Sequence, residues 1–199
     1  MQLFSSPTSP FVRKVRVLIR EKGATDKVRE TVVAALNDPA ELHAANPLGQ
    51  VPALALDDGT QIFNSPVICQ FLDEELGGPK LLPPSGIAHW ADMRLQTIGD
   101  GISEAAVSLS FERARPEEQR SPVWTGRWQR VVSRSLDALE AETGKLDGNL
   151  TLGRIAIVCA LGYLDFRHDN LGWREGHPKL AAWYKTMSGR PAFKETEPA

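Results

Sequence analysis

The sequence is short of cysteine, of net charge and of long apolar runs. Only two of its 199 residues are cysteines, Cys69 and Cys159, which is too few for a disulfide framework or a cysteine-based metal cluster. Both lie in apolar helical patterns, where a small buried thiol is typical. The 23 Lys and Arg nearly balance the 25 Asp and Glu, and the net charge of −2 gives no overall field that would attract nucleic acid.

The N-terminus does not have the pattern of a secretory signal, since no basic stretch is followed by an apolar one. The longest apolar run, residues 155–164, is about half the length of roughly 20 residues that a membrane helix needs. The four histidines do not have metal-ligand spacing. We therefore expect a cytoplasmic protein in a reducing compartment, with no metal, no membrane segment and no nucleic-acid partner.

The chain has the composition of an ordinary folded protein, with 42% hydrophobic and 24% charged residues. At roughly 150 residues per domain, this length allows one domain or two small ones. Up to about residue 77, strand-like and helix-like patterns alternate. The predicted elements are a strand at 2–5, a helix at 11–19, a strand at 28–34, a short helix, strands at 52–56 and 61–63 around an Asp-Asp-Gly turn, and a helix from Val67.

Residues 77–86 are rich in glycine and proline, a composition typical of a linker. We therefore place a first domain at residues 1–78, a linker at 79–86 and a second domain at 87–199. Every pattern in the second domain is helical. Residues 155–164 are apolar on nearly all sides, which predicts a helix surrounded by other helices.

In the first predicted domain, two helices begin with a Ser-Pro pair, Ser9-Pro10 and Ser65-Pro66. In each pair the serine is placed as the N-cap and the proline as the first helical residue. The free N–H groups at such a helix start favour an anion. On spacing alone, a plain cap and a hydroxyl that contacts an anionic ligand both remain open.

A third segment, residues 46–52 with the sequence Asn-Pro-Leu-Gly-Gln-Val-Pro, comes directly before a predicted strand. Proline is a poor start for a strand unless the strand lies at an edge or the peptide bond is cis. A cis Val51–Pro52 bond would turn the backbone N–H and C=O of Val51 outward. An extended peptide ligand could then pair with them as an added strand.

Together these segments resemble the glutathione S-transferase superfamily, with most similarity to its YibF-like bacterial branch. The Ser9 segment is similar to the serine-type active site, and residues 46–52 match the N-P-x-x-x-V-P loop of that superfamily. His177-Pro178 and the segment 190–193 resemble the ending of many bacterial members. The resemblance covers nearly the whole chain. It implies a thioredoxin-like N-terminal domain of order β-α-β-α-β-β-α, followed by an all-α domain.

The resemblance implies that Ser9 binds the sulfur of glutathione and favours its thiolate, although Thr8 is close enough to share this role. Glutathione is expected as the co-substrate, with no metal. Gln50 is expected at the glycyl end of the tripeptide and the backbone of Val51 at its cysteinyl unit. The full set of implied glutathione-binding residues is Gln50, Val51, Pro52, Asn64 and Ser65.

Four residues are candidates for the acceptor site beside the sulfur: Phe11, Phe111, Arg113 and Trp173. Ordinary packing between the two domains is the alternative for each of them. Asp100 is a candidate for reaching the γ-glutamyl amine across a dimer interface. For Asp100, the alternative is a carboxylate that is solvated or paired within its own chain.

Two positions depart from the family pattern. Many members have Thr-x-x-Asp at the start of the buried helix, whereas this chain has Thr151 followed by Arg154. We expect a weaker cap there, with Arg154 turned to solvent or paired with a carboxylate, because a helix start disfavours a cation. Asn64 stands where an acidic residue or glutamine is usual, which removes one partner for the γ-glutamyl amine.

The resemblance implies a homodimeric glutathione transferase that conjugates a small, largely apolar electrophile. A glutathione-dependent peroxidase or disulfide reductase is one alternative, although the chain has no Cys-x-x-Cys motif. A non-catalytic binding or assembly module on the same fold is another, since fold alone does not fix function. The apolar residues Ile62, Phe63 and Trp90 lie where a second subunit could cover them.

Overall fold

Four short strands form one mixed sheet in the N-terminal part of a computed structural model, which describes residues 1–198. The strands are β1 (Gln2–Ser5), β2 (Arg29–Val32), β3 (Ala53–Ala55) and β4 (Gln61–Phe63). They lie in the order β2-β1-β3-β4. The β1–β2 pair is parallel, while β3 pairs antiparallel with both β1 and β4.

Helices connect and follow these strands in the predicted order. The helices are α1 (Pro10–Glu21), α2 (Ala40–Ala45), α3 (Ser65–Glu75), α4 (Gly86–Ala114), α5 (Pro122–Ala141), α6 (Leu152–His168), α7 (Trp173–Gly176), α8 (Pro178–Ser188) and α9 (Pro191–Lys194). The order β-α-β-α-β-β-α followed by helices alone is confirmed. Our domain boundary at 79–86 falls between α3 and α4, and it stays a prediction.

The side chains of β1 alternate between two apolar clusters, as the two-residue period of a strand requires. Leu3 points into the larger cluster, which includes α1, α3 and the helical part of the chain. Phe4 points to the opposite face and packs against Leu42 and Ala45 of α2. The sheet is thus covered on both faces, in a thioredoxin-like arrangement.

The central helix α6 is buried along almost its whole length, as its apolar sequence predicts. It lies unusually close to α4 because glycines occupy the contact. A Cβ atom at Gly99 would be 2.6 Å from the backbone carbonyl carbon of Ala156. A Cβ atom at Gly153 would be 2.7 Å from the backbone oxygen of Asp92. Within residues 1–198, no helix has the length and apolar character needed to cross a bilayer.

The start of α6 is capped differently from our expectation. Arg154 neither turns to solvent nor pairs with a carboxylate; its guanidinium donates to backbone carbonyls in the preceding loop, including that of Leu146 at 2.7 Å. The acidic group comes from α4 instead. Asp92 accepts a hydrogen bond from the backbone N–H of Gly153 at 3.0 Å, and Thr151 accepts one from that of Arg154 at 3.4 Å. Two side chains therefore cap the helix without an acid in its first turn.

Candidate active site

The register of the sheet brings the three predicted segments to one edge. Phe4 of β1 pairs with Ala53 of β3, and Ala53 pairs with Phe63 of β4. The end of β1, the start of β3 and the end of β4 are therefore neighbours. It follows that the loop before α1, the Val51–Pro52 bond and the start of α3 all leave the sheet on the same side.

Ser9 is the N-cap of α1, as predicted, and Pro10 is the first helical residue. The Ser9 hydroxyl oxygen accepts a hydrogen bond from the backbone N–H of Val12 at 3.3 Å. A serine hydroxyl has one donor hydrogen besides its two acceptor positions. Capping therefore leaves the O–H of Ser9 able to donate to an anion, so the plain-cap and ligand-contact roles are compatible.

The surroundings of Ser9 favour a negative charge. The first turn of α1 contains no acidic residue, so the positive end of the helix dipole is not neutralised from within the helix. Ser9 and Thr8 are both half-buried. The Thr8 hydroxyl takes no part in the cap and also stays a candidate for the sulfur contact.

The loop at residues 46–52 is held by the side chain of its first residue. Asn46 is buried, with its amide nitrogen donating to the carbonyl of Gln50 at 2.7 Å and its amide oxygen accepting from Leu48 N–H at 3.0 Å. The Val51–Pro52 peptide bond is cis, which is one of the two alternatives that the sequence left open. Gln50 itself is exposed, and its side chain is free to reach a ligand.

The backbone of Val51 is unused by the fold. Pairing between β1 and β3 begins only at Ala53, and within residues 1–198 neither the N–H nor the C=O of Val51 has a hydrogen-bond partner. Val51 is half-buried beside the sheet edge. Its backbone can therefore pair with an extended peptide in the manner of an added strand.

Ser65 is placed differently from our prediction, with a consequence for binding. Asn64 is the N-cap of α3, and Ser65 is its first helical residue. Asn64 has φ 72°, a left-handed conformation that non-glycine residues adopt rarely and often at functional sites. The Ser65 side chain is 1% exposed, and its oxygen has no hydrogen-bond partner among the described residues. Such an unsatisfied buried hydroxyl at a helix start is suited to bind a carboxylate.

Asp100 forms an ion pair within its own chain. Lys14 Nζ lies 2.7 Å from Asp100 Oδ1 and 2.9 Å from Oδ2. The Lys14 side chain is 1% exposed, so this pair is a buried link between α1 and α4. This geometry matches the intrachain alternative, and a role for Asp100 across a subunit interface stays a prediction. Nothing in the sequence pattern around Lys14 distinguished it from a surface lysine of an amphipathic helix.

Helix α1 runs antiparallel to α4 and α6. At its C-terminal end, Lys22 Nζ lies 2.6 Å from Asp73 Oδ1, and Asp73 binds the backbone just before α4. Toward its N-terminus, the guanidinium of Arg13 packs against Gly162, deep in α6. Ser9 precedes Arg13 by four residues, or about 6 Å of helix. The N-terminus of α1 therefore points toward the C-terminal halves of α4 and α6.

The four acceptor-site candidates lie in different environments around the N-terminus of α1. Phe11, in the first turn of α1, is half-buried, while Phe111 and Arg113 are exposed near the end of α4. Trp173 is 4% exposed, and its indole N–H donates to Asp165 Oδ1 at 2.8 Å. Trp173 thus packs in the helical core, which matches the packing alternative, and an acceptor-site role for Trp173 stays a prediction.

The helix geometry suggests two candidates that the sequence analysis did not name, Val107 and Phe166. On α4, Val107 shares a face with Asp100 because seven residues make two turns; Phe111 continues that face. On α6, Phe166 follows Gly162 by four residues and so lies about level with Ser9. In the sequence, the spacing of Val107 and Phe166 did not distinguish them from ordinary core residues.

The two cysteines do not supply a reactive sulfur. Burial raises the pKa of the Cys69 thiol to about 12 and that of the Cys159 thiol to about 11. Both thiols are therefore protonated at neutral pH, so neither side chain supplies a thiolate. Among residues 1–198, no cluster of three or more His, Cys, Asp or Glu side chains is arranged to hold a metal ion.

Two family models match the chain: the N-terminal domain of glutathione S-transferase matches residues 8–75, and the C-terminal domain matches residues 122–186. The GST-like protein YibF of Escherichia coli K12 is 36% identical over 204 residues, covering 100% of this chain and 98% of the relative. Glutathione S-transferase 3 of Zea mays is 25% identical over 206 residues, covering 98% and 92%.

Solved structures of a glutathione transferase family member from Pseudomonas fluorescens Pf-5 are also similar. The structure with bound glutathione has a TM-score of 0.96 at 40% identity and covers 100% of this chain and 98% of that one. The structure with bound S-(propanoic acid)-glutathione has a TM-score of 0.92 at 39% identity and covers both chains completely. Since the two family models cover more than half of the sequence and these relatives match it from end to end, the chain belongs to the glutathione S-transferase family.

Proposed function

We propose that this protein is a glutathione-dependent transferase, which holds glutathione as its thiolate and conjugates it to a small, largely apolar electrophile. The observation that carries the proposal is a set of unused hydrogen-bonding groups at one sheet edge. The set comprises the O–H of Ser9, the backbone of Val51 and the buried hydroxyl of Ser65. Of these groups, the Ser65 hydroxyl is the buried one, and a buried polar group without a protein partner is usually bound by water or a ligand.

An extended tripeptide fits these groups in order. The Ser65 hydroxyl and the N-terminus of α3 suit the γ-glutamyl carboxylate, and the Val51 backbone suits the cysteinyl unit. Gln50, exposed at the loop, suits the glycyl end. The glutathione and glutathione conjugate bound in the Pseudomonas fluorescens relatives support the same ligand here.

One serine and one helix terminus are sufficient to ionise the thiol. A free thiol has a pKa near 8.5. A hydrogen bond to a charged group contributes about 1.5–3 kcal/mol, and a helix N-terminus contributes about 0.3–1 kcal/mol. At about 1.4 kcal/mol per pKa unit, together they lower the pKa of the thiol by about 1.5 to 3. The thiolate is then abundant at pH 7.

The proposed reaction is a direct attack by that thiolate. A lone pair of the sulfur forms the new bond to the electrophilic carbon. With a halonitroarene, the halide then leaves with the electron pair of the C–halogen bond. With an isothiocyanate, the π pair of the C=N bond moves to nitrogen, which takes a proton from water, and no group leaves. Ser9 holds the sulfur before the attack, and Val107, Phe111 and Phe166 are the candidate apolar surface for the acceptor. The raised pKa values of Cys69 and Cys159 support a mechanism in which glutathione supplies the only reactive sulfur.

Retention on immobilised glutathione, followed by a panel of acceptors, tests the function. We expect retention, and turnover of a halonitroarene or an isothiocyanate. Turnover of hydroperoxides alone would favour the peroxidase alternative. Failure to bind glutathione would favour a non-catalytic assembly module and contradict the proposal.

We also propose that the protein is a cytoplasmic homodimer, as the family resemblance implies. Val67 and Trp90 are 53% and 67% exposed, and Ile62 and Phe63 are half-buried nearby in the chain. Burial of such residues by a second copy would remove apolar surface from water. Sedimentation at low protein concentration should give a dimer for the natural chain and a shift toward monomer for Trp90→Glu, and a monomeric natural chain would contradict the proposal.

A further inference from the structure

Arg13, near the start of α1, is a buried cation without a carboxylate partner among the described residues. The residue is 3% exposed. The one hydrogen bond that its guanidinium forms within the described chain runs from Nη2 to the carbonyl of Phe193 at 3.0 Å. The Nε atom is buried and has no partner within residues 1–198. Burying a charge without a countercharge costs free energy, so stability alone does not explain an arginine at this position.

The guanidinium of Arg13 lies where α1, α6 and α9 meet. It fits against α6 because residue 162 is a glycine: a Cβ atom there would overlap Arg13 Nη1 and would be 3.1 Å from the hydroxyl oxygen of Tyr184 on α8. Through Nη2 it donates to the carbonyl of Phe193, a residue of α9 that is completely buried. One side chain of α1 is therefore held by both α6 and α9.

Arg13 and Ser9 belong to the same helical turn. The backbone N–H of Arg13 donates to the carbonyl of Ser9 at 3.0 Å, and residues four apart lie on the same face of a helix. The Ser9 hydroxyl oxygen accepts from the Val12 N–H in that turn. Contacts that fix the guanidinium of Arg13 therefore also fix the turn from which the Ser9 side chain projects.

Two ion pairs join α1 to α9 farther from Ser9. Arg20 Nε lies 3.2 Å from Glu195 Oε2, and Arg190 Nη2 lies 2.6 Å from Glu21 Oε2. Arg20 follows Ser9 by 11 residues, or about 16 Å of helix. These pairs connect the same two helices as Arg13 does, but they do not contact the turn that contains Ser9. Arg20 is therefore a matched control for Arg13.

We propose that Arg13 is a positioning residue for Ser9. By tying the first turn of α1 to α6 and α9, it holds the Ser9 hydroxyl where that group donates to the sulfur of glutathione. This inference rests on the proposed function and adds a residue to the same site. A hydrogen bond weakens steeply as its angle closes, and a misplacement of about 1 Å in a reacting geometry costs about 100-fold in rate. Phe193, in the segment that resembles the ending of many bacterial members, thereby acts on Ser9 through Arg13.

A pH titration of the ultraviolet absorbance of the bound glutathione thiolate tests the inference, because an arginine with a merely structural role would leave its midpoint unchanged. Arg13→Met removes the guanidinium and keeps a long apolar side chain. We expect the midpoint to rise by about 0.5–1 pH unit through partial loss of the Ser9 hydrogen bond. The kcat for a halonitroarene should fall about 5- to 10-fold, with the KM for glutathione within about twofold. Arg13→Lys keeps a donor for the Phe193 carbonyl and should restore most of both losses.

Two further variants keep the test specific. Arg20→Met breaks the contact with Glu195 between the same two helices and should leave the midpoint unchanged. Gly162→Ala keeps Arg13 but fills the space of its guanidinium, so it should raise the midpoint even if Arg13→Met does not fold. An unchanged midpoint in folded Arg13→Met or in Gly162→Ala, or an equal rise in Arg20→Met, would overturn the inference while glutathione binding still supported the proposed function. Failure of the natural chain to bind glutathione would overturn both.

Discussion

At the residue scale, the candidate site consists of groups that the fold positions but does not satisfy. Ser9 could be identified from the sequence because a Ser-Pro pair before an amphipathic helix is a local signal. Ser65 was identified for the same reason, but its place in the helix was off by one residue. Asn64, with its positive φ, is the N-cap instead, and asparagine gives only a weak sequence signal for such a backbone angle.

The proposed catalytic role of Ser9 can be separated from its role as a helix N-cap by comparison with Ser121, which caps a second helix in the same way. Ser9→Ala should lower kcat for a halonitroarene by about 10- to 100-fold with little change in the KM for glutathione, since the lost bond acts on the thiolate. Ser121 begins α5 with the same Ser-Pro pair, and its hydroxyl accepts from Trp124 N–H at 3.4 Å. Ser121→Ala should cost a similar free energy of unfolding, about 1 kcal/mol, with unchanged kcat.

Steady-state kinetics and denaturant unfolding of both variants check this prediction. Thr8→Val serves as a further control, because Thr8 is the other hydroxyl near the sulfur. If Thr8→Val were inactive while Ser9→Ala stayed active, the hydrogen bond to the glutathione sulfur would be assigned to Thr8, which would contradict our account.

At the element scale, the sequence predicted the order of strands and helices because each turn and helix start has a local signal. The cap of α6 could not be predicted in this way. Asp92, which binds Gly153 N–H, lies 61 residues away, and such a contact exists only once the helices pack. The Lys14–Asp100 pair also joins distant segments.

The close contact between α4 and α6 gives a prediction with an internal control on the same helix. Gly99→Ala should lower the free energy of unfolding by about 1–3 kcal/mol, since the new methyl group meets backbone atoms that cannot move aside. At Gly101 an added Cβ would have no heavy atom within 4 Å. Gly101→Ala should therefore stabilise the protein by about 0.5–1 kcal/mol through helix propensity.

Thermal or denaturant unfolding of the two variants measures whether Gly99→Ala destabilises the protein and Gly101→Ala stabilises it. If Gly99→Ala were as stable as Gly101→Ala, the two helices would not be in the close contact described above.

At the scale of the whole molecule, one apolar core joins the two predicted domains. Residues of β1, α1 and α3 belong to the same cluster as those of α4 and α6. Residues 79–86 therefore differ in composition from their neighbours, but the apolar core is continuous across the two parts of the chain that they connect. The sequence indicated the two halves through their different periodicities, but the shared core depends on how α1 lies against α6.

The buried His168 makes global stability depend on pH. Burial lowers its pKa in the folded state, so the unfolded chain takes up a proton first as the pH falls below about 6.5. This contribution to the free energy of unfolding is present above pH 6.5 and is lost as the pH falls through the folded pKa. His168→Gln keeps a donor for the Ala106 carbonyl, which His168 Nε2 contacts at 2.8 Å, and should show a shallower decline between about pH 7.5 and 5.5, measured by denaturant unfolding. If the free energy of unfolding declined equally with pH in the natural chain and in His168→Gln, this prediction would be wrong.

The central claim is that the protein binds glutathione with its thiol ionised by Ser9. A pH titration of the ultraviolet difference absorbance of the thiolate, with glutathione bound to the protein, measures this most directly. Our account predicts a midpoint between about pH 5.5 and 7 for the natural chain and a return toward about 8.5 for Ser9→Ala. A midpoint near 8.5 in the natural chain, or no difference spectrum with millimolar glutathione, would contradict it.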